Sequence, residues 1–381
     1  MNVCILADNY YRSSGVAVAI QRLVSAMYGS GMEFYLASGG APTAGGVTPV
    51  EDISWMPAGR YRRFDLFRSG VALVAESARF VRWLSQIRCD VVHAHHRRLG
   101  CLANMLRPIH GASVLYTAHI VHSKSRIFSA LCPPTVTGVS PSVMDYLRAH
   151  TNARDQYLAF NPYPFAVSDP LPRRIDGEIC SRAISVGRLE PVKGHVHLID
   201  AWRILRNQGV TATLDIYGEG HLKADLLAKV KADGLEGLVR FPGYCANVPE
   251  RIRTSLFNVL TSKEEGFPNV VVESAAESVA SLLTDVDGSR DTVPPDVVMP
   301  NKLSFGDVPA LAETLARWFA SPGEVVNEGR KFHTFIRERV SFDATRARFM
   351  EIYAAAARRM PAYGGIAQVQ GVERERANIA G

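Results

Sequence analysis

The first part of the chain has the pattern of a buried strand followed by a helix. Residues 2–7 (NVCILA) are almost continuously apolar, and residues 8–15 form a polar stretch that contains glycine. Apolar side chains then recur at the helical spacing i, i+3, i+4 and i+7, at Ile20, Leu23, Val24 and Met27. This pattern predicts a strand, a loop and a helix whose apolar stripe faces a sheet.

The alternation of strand and helix continues through both halves of the chain. Strand-like runs occur at 33–38, 89–94, 113–118 and 135–140, and again at 183–187, 212–217, 238–241 and 257–260. Helical stretches separate several of these runs. Such alternation indicates parallel sheets covered by helices, and hence an α/β fold.

A proline-rich break divides the two halves. The periodicity is interrupted by Pro162, Pro164, Pro170 and Pro172. We therefore assign an N-terminal domain to residues 1–165, a linker to 166–181 and a C-terminal domain to 182–340. A helix at 341–360 and a tail at 361–381, which is predicted to be disordered, follow. Because open sheets bind ligands at the carboxyl ends of their strands, the cleft between the domains is the expected ligand site.

Length and composition agree with two packed domains. The 381 residues exceed the roughly 150 of a typical domain, and 47% of them are hydrophobic. These values exclude a short binding module and a wholly disordered chain. The net charge of +6 is too modest to predict a nucleic-acid partner.

The six cysteines are scattered without a CxxC pair, so they predict neither a zinc site nor a disulfide framework. A reducing compartment is the natural interpretation. The sequence has no basic leader and no apolar run long enough to span a membrane. We expect a cytoplasmic protein.

The segment 261–276 (TSKEEGFPNVVVESAA) carries the most informative residues. Glu265 lies in a predicted loop and Glu273 about one turn into the following helix. Pro268 suits the first helical turn, where free backbone N–H groups attract anions. The arrangement suits a ligand with sugar hydroxyls and phosphate. An ordinary surface helix with solvated acids at its start is the alternative.

A second loop, at 185–194 (SVGRLEPVKG), follows a predicted strand. Its Arg188 and Lys193 precede a helix and can neutralise a diphosphate. Gly218, in the segment DIYGEG at the next strand end, suits close approach of a ligand. Ordinary loop charges and a plain turn are the alternatives.

In this order, these segments resemble the retaining GT-B glycosyltransferases of family 4, also called glycosyl transferases group 1. The resemblance is carried by Ser14-Gly15, DVVHAH (90–95), Thr117–His119, GVSPSV (138–143), VGRLEPVKG, DIYGEG and EEGFPNVVVESA. It implies two Rossmann-like domains that face a central cleft, with the acceptor bound by the N-terminal domain and the donor by the C-terminal one. It also implies a C-terminal helix that crosses back to the N-terminal domain.

The resemblance implies roles for individual residues. Arg188 and Lys193 match the cations that hold the donor diphosphate, and Glu265 lies near the donor sugar. Glu273 takes the ribose hydroxyls. His119 contacts the sugar near the reacting carbon, and an ordinary structural histidine is the alternative. The implied catalytic residues are His119, Arg188, Lys193 and Glu265. The implied donor-binding residues are Gly15, Arg188, Lys193, Gly218, Glu265, Gly266, Phe267, Pro268, Asn269, Val270 and Glu273.

Two clusters contain residue types that bind metal ions in other proteins. The first is His93, His95 and His96, of which strand alternation places only His93 and His95 on one face. The second is Asp285-Val286-Asp287, a DxD of the kind that binds manganese in transferases of the other major fold. The resemblance supplies cations for the diphosphate instead, so no metal and no other cofactor is expected.

The sequence departs from the family pattern at two places. Relatives usually have an Ala- and Gly-rich turn and a Gly-x-Pro segment after the second glutamate, and this chain has Ser278 and Ala280 at those places. Residues 161–165 read NPYPF, where many relatives have Asn-Gly-Val-Asp. We expect an altered helix-to-strand turn and an altered hinge, and neither change removes a proposed donor ligand.

The resemblance thus implies transfer of a hexose or N-acetylhexosamine from a nucleotide-diphosphate sugar, UDP by family frequency, to an acceptor hydroxyl. Glycans, glycolipids and polymers of the bacterial cell envelope, including lipopolysaccharide, are the implied acceptors. A non-catalytic binder of sugar nucleotides is the alternative. A nicotinamide dehydrogenase is disfavoured, because the first strand is not followed by GxGxxG.

A basic segment at 60–68 (RYRRFDLFR) precedes an apolar run in the N-terminal domain. Its arginines suit peripheral contact with an anionic membrane, such as the inner face of the cell membrane, or binding of an acidic glycan. These are Arg60, Arg62, Arg63 and Arg68. A solvated loop followed by an amphipathic core helix is the alternative.

Overall fold

The computed structural model describes residues 1–7, 15–38, 55–67, 69–121, 126–165, 177–297 and 303–358. Within these ranges each half of the chain builds one parallel sheet, and helices cover both faces of it. The predicted α/β fold with two Rossmann-like domains is confirmed. The predicted tail at 361–381 and residues 166–176 of the predicted linker lie outside the described residues.

The N-terminal sheet contains seven strands in the described part of the chain, in the order β3-β2-β1-β4-β5-β6-β7. They are β1 (Asn2–Ala7), β2 (Glu33–Ser38), β3 (Tyr61–Arg63), β4 (Val91–Ala94), β5 (Ser113–Ala118), β6 (Thr135–Gly138) and β7 (Asp155–Leu158). The order reverses between β1 and β4. A parallel sheet opens a crevice at such a reversal, outside the carboxyl ends of the two strands.

The C-terminal sheet has the order β10-β9-β8-β11-β12 within the described residues. Its strands are β8 (Arg182–Val186), β9 (Thr213–Tyr217), β10 (Val239–Gly243), β11 (Phe257–Leu260) and β12 (Ala280–Leu283). Here the reversal lies between β8 and β11. Both sheets thus offer a ligand crevice.

Thirteen α-helices connect or follow the strands in the described ranges. The first five are α1 (Gly15–Ala26), α2 (Gly70–Gln86), α3 (Arg97–His110), α4 (Arg126–Leu131) and α5 (Pro141–His150). Those of the C-terminal half are α6 (Gly177–Cys180), α7 (His195–Asn207), α8 (Lys223–Ala232), α9 (Val248–Arg253), α10 (Asn269–Ala276), α11 (Val308–Ala320), α12 (Pro322–Val340) and α13 (Phe342–Ala357). The short α6 occupies part of the segment predicted to be linker. None of these helices combines the length and apolarity needed to cross a membrane.

Strand β1 shows how the N-terminal sheet divides its core. Its side chains alternate between the two faces, so Cys4 and Leu6 pack with the layer formed by α2, α3 and α4. Val3 and Ile5 pack with α1 and α13 on the opposite face. The layer of α2 to α4 therefore lies on the side of the sheet away from α1 and α13.

The C-terminal helix α13 returns to the N-terminal domain, as the resemblance implied. Helix α12 packs on α10 and β12 of the C-terminal domain, whereas α13 packs on β4, β5 and α1. Tyr163 N–H donates to the carbonyl of Val340 at 2.8 Å, where the two helices meet. Ser113 Oγ donates to the carbonyl of Ala356 at 2.8 Å. The end of the chain described here thus ties the two domains together.

The turn between α10 and β12 keeps the geometry of a glycine turn although serine occupies it. Ser278 has φ of 53°. Its N–H donates to the carbonyl of Ala275 at 3.0 Å, and the N–H of Val279 donates to the carbonyl of Ser274 at 2.8 Å. This is a Schellman arrangement, which favours glycine at the residue with positive φ. The expected alteration of this turn is therefore a change of residue type. Its backbone still adopts the conformation of a glycine turn.

We expect Ser278→Gly to stabilise the protein, because the left-handed conformation costs a serine roughly 1–2 kcal/mol. Glycine loses about 0.5–1 kcal/mol through its greater freedom in the unfolded chain, which leaves a net gain of up to about 1.5 kcal/mol. The melting temperature should rise by about 2 °C. Ser289→Gly is the matched control, because Ser289 is buried, has φ of −65° and has no hydrogen bond at Oγ. That control should lower the melting temperature, and a fall in both variants would contradict the strain at Ser278.

Candidate functional site

The two crevices face each other and form one cleft of about 760 Å³ between the domains. The cleft lies at the carboxyl ends of β1, β4 and β5 on one side and of β8, β9 and β11 on the other. All of the predicted site residues line it, namely Gly15, His119, Arg188, Lys193, Gly218, the run from Glu265 to Val270, and Glu273. The predicted residues are therefore consistent with one site.

The centre of the donor side is an ion pair between Lys193 and Glu265. Lys193 Nζ lies 2.5 Å from Glu265 Oε1, and the side chains are 19% and 10% exposed. Ser262 Oγ donates to the same oxygen at 2.6 Å. The residues are 72 positions apart, and β8 and β11 meet as neighbours in the sheet and bring their loops together. A cation and a carboxylate thus lie side by side at one wall of the cleft.

Arg188 is the more open of the two predicted cations. Its side chain is 60% exposed, and Nη1 lies 2.6 Å from Glu190 Oε1 of the same loop. This pairing leaves most of the guanidinium in contact with solvent at the cleft. Arg188 therefore provides an exposed positive charge in the same cleft as the partly buried one of Lys193.

The glycine at position 218 is required for a reason that the sequence did not reveal. Gly218 has φ of 141°, and a Cβ there would lie 1.9 Å from the carbonyl oxygen of Gly187. The close approach is thus between two loops of the protein, at the ends of β8 and β9. This contact packs the two loops closely together at the wall of the cleft next to Arg188.

The loop from Glu265 to Asn269 also joins the two domains. A Cβ on Gly266 would lie 1.6 Å from the carbonyl oxygen of His119, so the donor loop packs directly against the segment after β5. The rings of Phe267 and Phe160 have centroids 5.1 Å apart. Asn269 Nδ2 donates to the carbonyl of Gly15 at 3.0 Å. Three of the predicted donor-binding residues, Gly266, Phe267 and Asn269, therefore also contact the N-terminal domain.

The helix after this loop begins at Asn269, one residue later than expected. Pro268 has ψ of 117°, which is extended, so it precedes α10 and does not belong to its first turn. The N–H groups of Val271 and Val272 donate to the carbonyl of Pro268 at 3.1 and 3.4 Å, which leaves those of Asn269 and Val270 as the ones without an acceptor inside α10. Glu273 lies about one turn into the helix, as predicted.

Glu273 forms an ion pair that the sequence analysis missed. Arg22 Nη2, on α1 of the N-terminal domain, lies 2.7 Å from Glu273 Oε1, and the side chains are 17% and 12% exposed. Burial raises the pKa of Glu273, and Arg22 opposes that rise. The Arg22 guanidinium also lies 4.5 Å from the centre of the Tyr163 ring. Arg22 is the one charged residue in the apolar sequence of α1, which is the signal that could have identified it.

Histidines from β4 and the segment after β5 form a stack beside the donor loop. His95 Nδ1 lies 2.9 Å from His119 Nε2. The ring centroids of His93 and His95 lie 4.2 Å apart, which confirms that these two share a face. Burial lowers the pKa of His93 to about 3 and lowers that of His95 as well, so both rings are neutral. His96 contacts Phe67 instead, with ring centroids 5.2 Å apart.

Both carboxylates of the DxD segment form ion pairs with Arg290 of the same turn. Arg290 Nε lies 2.7 Å from Asp285 Oδ1, and its Nη1 lies 3.3 Å from Asp287 Oδ1. Asp291 next to it accepts the N–H of Ser142 from the N-terminal domain at 2.9 Å. This turn thus contributes to the contact between domains. In the part of the chain that is described, no group of three histidine, cysteine or carboxylate side chains is arranged to hold a metal ion.

Only some arginines of the basic segment at 60–68 are exposed for contact with a membrane. Arg60 forms an ion pair with Glu33, and its guanidinium lies 5.6 Å from the centre of the Tyr35 ring. Arg62 and Arg63 are exposed on the edge strand β3, which the sequence analysis treated as a loop. Arg68 lies outside the described residues.

Two family models match the chain, one to each domain. The model described as Glycosyltransferase Family 4 matches residues 13–157, and the model described as Glycosyl transferases group 1 matches residues 181–333. The second match contains both loops with the ion pair, and the first contains the histidine stack.

Relatives and solved structures agree with these matches. The amylovoran biosynthesis glycosyltransferase AmsD of Erwinia amylovora is 30% identical over 143 residues, which are 37% of this chain and 40% of that protein. An N-acetylgalactosaminyltransferase of Campylobacter jejuni that is named for a diphospho-undecaprenol acceptor is 39% identical over 109 residues, which are 28% of this chain and 29% of that protein. The aligned parts thus span less than half of these relatives.

The crystal structure of Anabaena HepE in complex with UDP-glucose superposes with a TM-score of 0.75 at 15% identity, covering 93% of this chain and 100% of that one. At this identity the likeness shows a shared fold.

Proposed function

The chain belongs to the family 4, or group 1, glycosyl transferases, and from this premise we propose that it is an active, retaining transferase that uses a UDP-sugar. It moves a hexose or N-acetylhexosamine to a hydroxyl of a cell-envelope glycan or glycolipid. The observation that carries this proposal is the Lys193–Glu265 ion pair at the start of α10, with Arg188 beside it in the same cleft. Cations, a carboxylate and helix N–H groups are what a sugar diphosphate needs from a binding site.

The residues fit the charges of the reaction. When the bond between the anomeric carbon and the diphosphate breaks, negative charge develops on the leaving oxygen, and Lys193 and Arg188 stabilise it. Glu265 Oε1 accepts bonds from Lys193 and Ser262, which leaves Oε2 for a sugar hydroxyl. The acceptor oxygen attacks from the face that the diphosphate leaves, and its proton passes to a diphosphate oxygen. The configuration of the sugar is retained.

The nucleoside half of the donor extends from this centre along the C-terminal wall. That wall includes Tyr217, Tyr244 and Glu273. In this proposal Glu273 accepts the ribose hydroxyls, and its carboxylate is then shared between them and Arg22. Uridine is supported by the UDP-glucose bound in the structural relative HepE. The protein cations supply the charge that a metal would supply, so we propose that donor binding needs no metal.

We expect UDP to raise the melting temperature of the protein more than GDP, ADP, CMP or dTDP. A ligand at about 100 times its dissociation constant adds roughly 2.7 kcal/mol of stability, which a thermal scan resolves. The UDP shift should be the same with EDTA and with magnesium, and a shift that needs magnesium would contradict the metal-free site. No shift with any nucleotide would contradict the donor assignment.

Transfer is measured separately, as release of UDP from UDP-glucose, UDP-galactose and their N-acetylated forms in the presence of membrane glycolipids. Binding of UDP without release from any donor would favour the non-catalytic alternative. The anomeric configuration of the product, read by NMR, tests retention directly.

We further propose that the N-terminal domain contacts an anionic membrane through the layer of α2, α3 and α4. This α2–α4 surface is defined by its exposed apolar side chains. They are Val71 and Val74 on α2, Met105 and Ile109 on α3, and Ile127 on α4, all between 59% and 86% exposed. Arg62 and Arg63 lie on the strand that precedes α2. Exposed apolar residues with adjacent arginines suit an anionic lipid surface, from which a lipid-linked acceptor can reach the cleft.

The membrane proposal predicts that the protein floats with phosphatidylglycerol vesicles and not with phosphatidylcholine vesicles. The double variant Val71→Glu, Val74→Glu should lose this binding, because it adds negative charge to the surface. Tyr28→Glu is the matched control, since Tyr28 is as exposed as Val71 and lies after α1, on the opposite side of the sheet. Equal flotation of the double variant and the control would contradict the proposed surface.

A further inference from the structure

His95, next to the donor loop, forms a hydrogen bond through one ring nitrogen and, among the described residues, not through the other. It directly follows β4, is 8% exposed, and contacts His119 Nε2 through Nδ1 at 2.9 Å. The two rings are inclined by 28°. The other ring nitrogen of His95, Nε2, is buried and has no hydrogen-bond partner among the described residues.

This asymmetry determines where His95 carries its proton. A proton on Nε2 would bury an N–H group that nothing accepts, which proteins avoid. A proton on Nδ1 is donated to His119 instead. Burial lowers the pKa of His95, so the ring is neutral and carries one proton only. His95 is therefore a donor to His119 through Nδ1.

The surroundings hold the His95 ring in this orientation. His93 stacks on it with ring centroids 4.2 Å apart. His93 is itself fixed, because its Nδ1 lies 2.8 Å from the Tyr353 hydroxyl and its Nε2 lies 2.6 Å from Thr117 Oγ1. The chain of contacts thus runs from α13 through β4 to the wall of the cleft.

The position of the proton on His95 also determines that on His119, which lines the cleft. Since its Nε2 accepts a hydrogen bond, a neutral His119 carries its proton on Nδ1. A second proton on Nε2 would place two N–H groups against each other. The carbonyl of His119 packs against Gly266, so the backbone of this histidine is fixed relative to the donor loop.

We propose that His95 is a positioning residue that holds His119 as a neutral imidazole protonated at Nδ1. His119 then faces the sugar of the donor with its proton on Nδ1, and it does not act as a general base through Nε2. The choice of donor rests on the proposed function, whereas the tautomer is a property of the empty protein.

The tautomer is measured first, on the protein labelled with 15N-histidine, by long-range 1H–15N correlation spectra. The variants His95→Asn and His119→Gln assign the two spin systems. We expect the Nδ1 nitrogens of both residues to show the shift of a protonated nitrogen and the Nε2 nitrogens that of an unprotonated one. A protonated Nε2 in either residue would overturn the proposal. This result does not depend on whether the protein transfers sugar.

Activity gives the second test. In His95→Asn the side-chain amide nitrogen lies close to the place of Nδ1 and can still donate, whereas His95→Leu has no donor. We expect kcat to fall about tenfold or more in His95→Leu, as loss of a tautomer-fixing partner does elsewhere, and to recover most of that loss in His95→Asn. The UDP-induced rise in melting temperature should be unchanged in both.

Equal losses in the leucine and asparagine variants would show a merely structural role, and an unchanged kcat in His95→Leu would also overturn the proposal. Should His95→Leu not fold, the spectra of the wild type decide the question. An inactive wild type with the expected tautomer would instead contradict the proposed function alone.

Discussion

Lys193→Ala is expected to lower kcat by about a hundredfold or more, since it removes a preorganised cation from the leaving diphosphate. The charge of Lys193 is only 19% exposed and sits beside Glu265, so water replaces it poorly. The protein should remain folded, because the aliphatic part of Lys193 lines the cleft and is not part of a hydrophobic core. Steady-state kinetics with the best UDP-sugar measure the effect, and the melting temperature reports on folding.

Lys263→Ala is the matched control for this variant. Lys263 lies two residues before Glu265 in the same loop region and is exposed, and it does not line the cleft. It should leave kcat within about twofold of the wild type, because exposed charges at a distance are screened by solvent and salt. Comparable losses in both variants would indicate a general effect of positive charge. Near-normal turnover of Lys193→Ala would remove the diphosphate role from this residue.

The sequence was sufficient to place the predicted donor ligands because each of them follows a strand. Parallel strands of one sheet end at the same edge, so Arg188 after β8 and Glu265 after β11 had to lie at one edge of the sheet once both strands were recognised. The position of His119 after β5 followed in the same way. Local patterns and chain direction are enough for this kind of prediction.

Pairs of side chains across the domain interface, and between neighbouring strand ends, could not be predicted from such patterns. Arg22 and Glu273 are 251 residues apart, and their meeting depends on how α1 docks against α10. The pairing of His95 with His119 depends on the side-chain rotamers at two strand ends. Neither is specified by periodicity, because periodicity describes which face is buried and not what lies across an interface.

Two strands of the N-terminal sheet were missed for a related reason. β3 and β7 are edge strands of the N-terminal sheet, with neighbours on one side only. Their sequences, YRR and DQYL, are polar and only partly buried, so they lack the continuous apolar run that marks an inner parallel strand. Edge positions tolerate such residues because solvent reaches one side of the strand.

Glu265→Gln is expected to lower kcat by about a hundredfold or more while the melting temperature changes little. Glutamine keeps the size of the side chain and can still accept from Ser262 and Lys193, so the loop should persist. The lost negative charge leaves Lys193 without its counterion and weakens the hydrogen bond to a sugar hydroxyl. Glu264→Gln, at an exposed neighbouring residue, is the matched control and should behave like the wild type.

A large fall in the stability of Glu265→Gln would favour the alternative in which this carboxylate merely holds the loop, and near-normal turnover would contradict a role near the sugar. The double variant Lys193→Ala, Glu265→Gln distinguishes a joint role from two separate ones. If the pair acts on the donor as one unit, the double variant should have a kcat little lower than that of the poorer single variant. Either single substitution then already removes most of the contribution that the two side chains make together. If the losses in kcat multiply instead, the two side chains act on the diphosphate and the sugar independently, and the 2.5 Å contact between them is then a feature of the empty site.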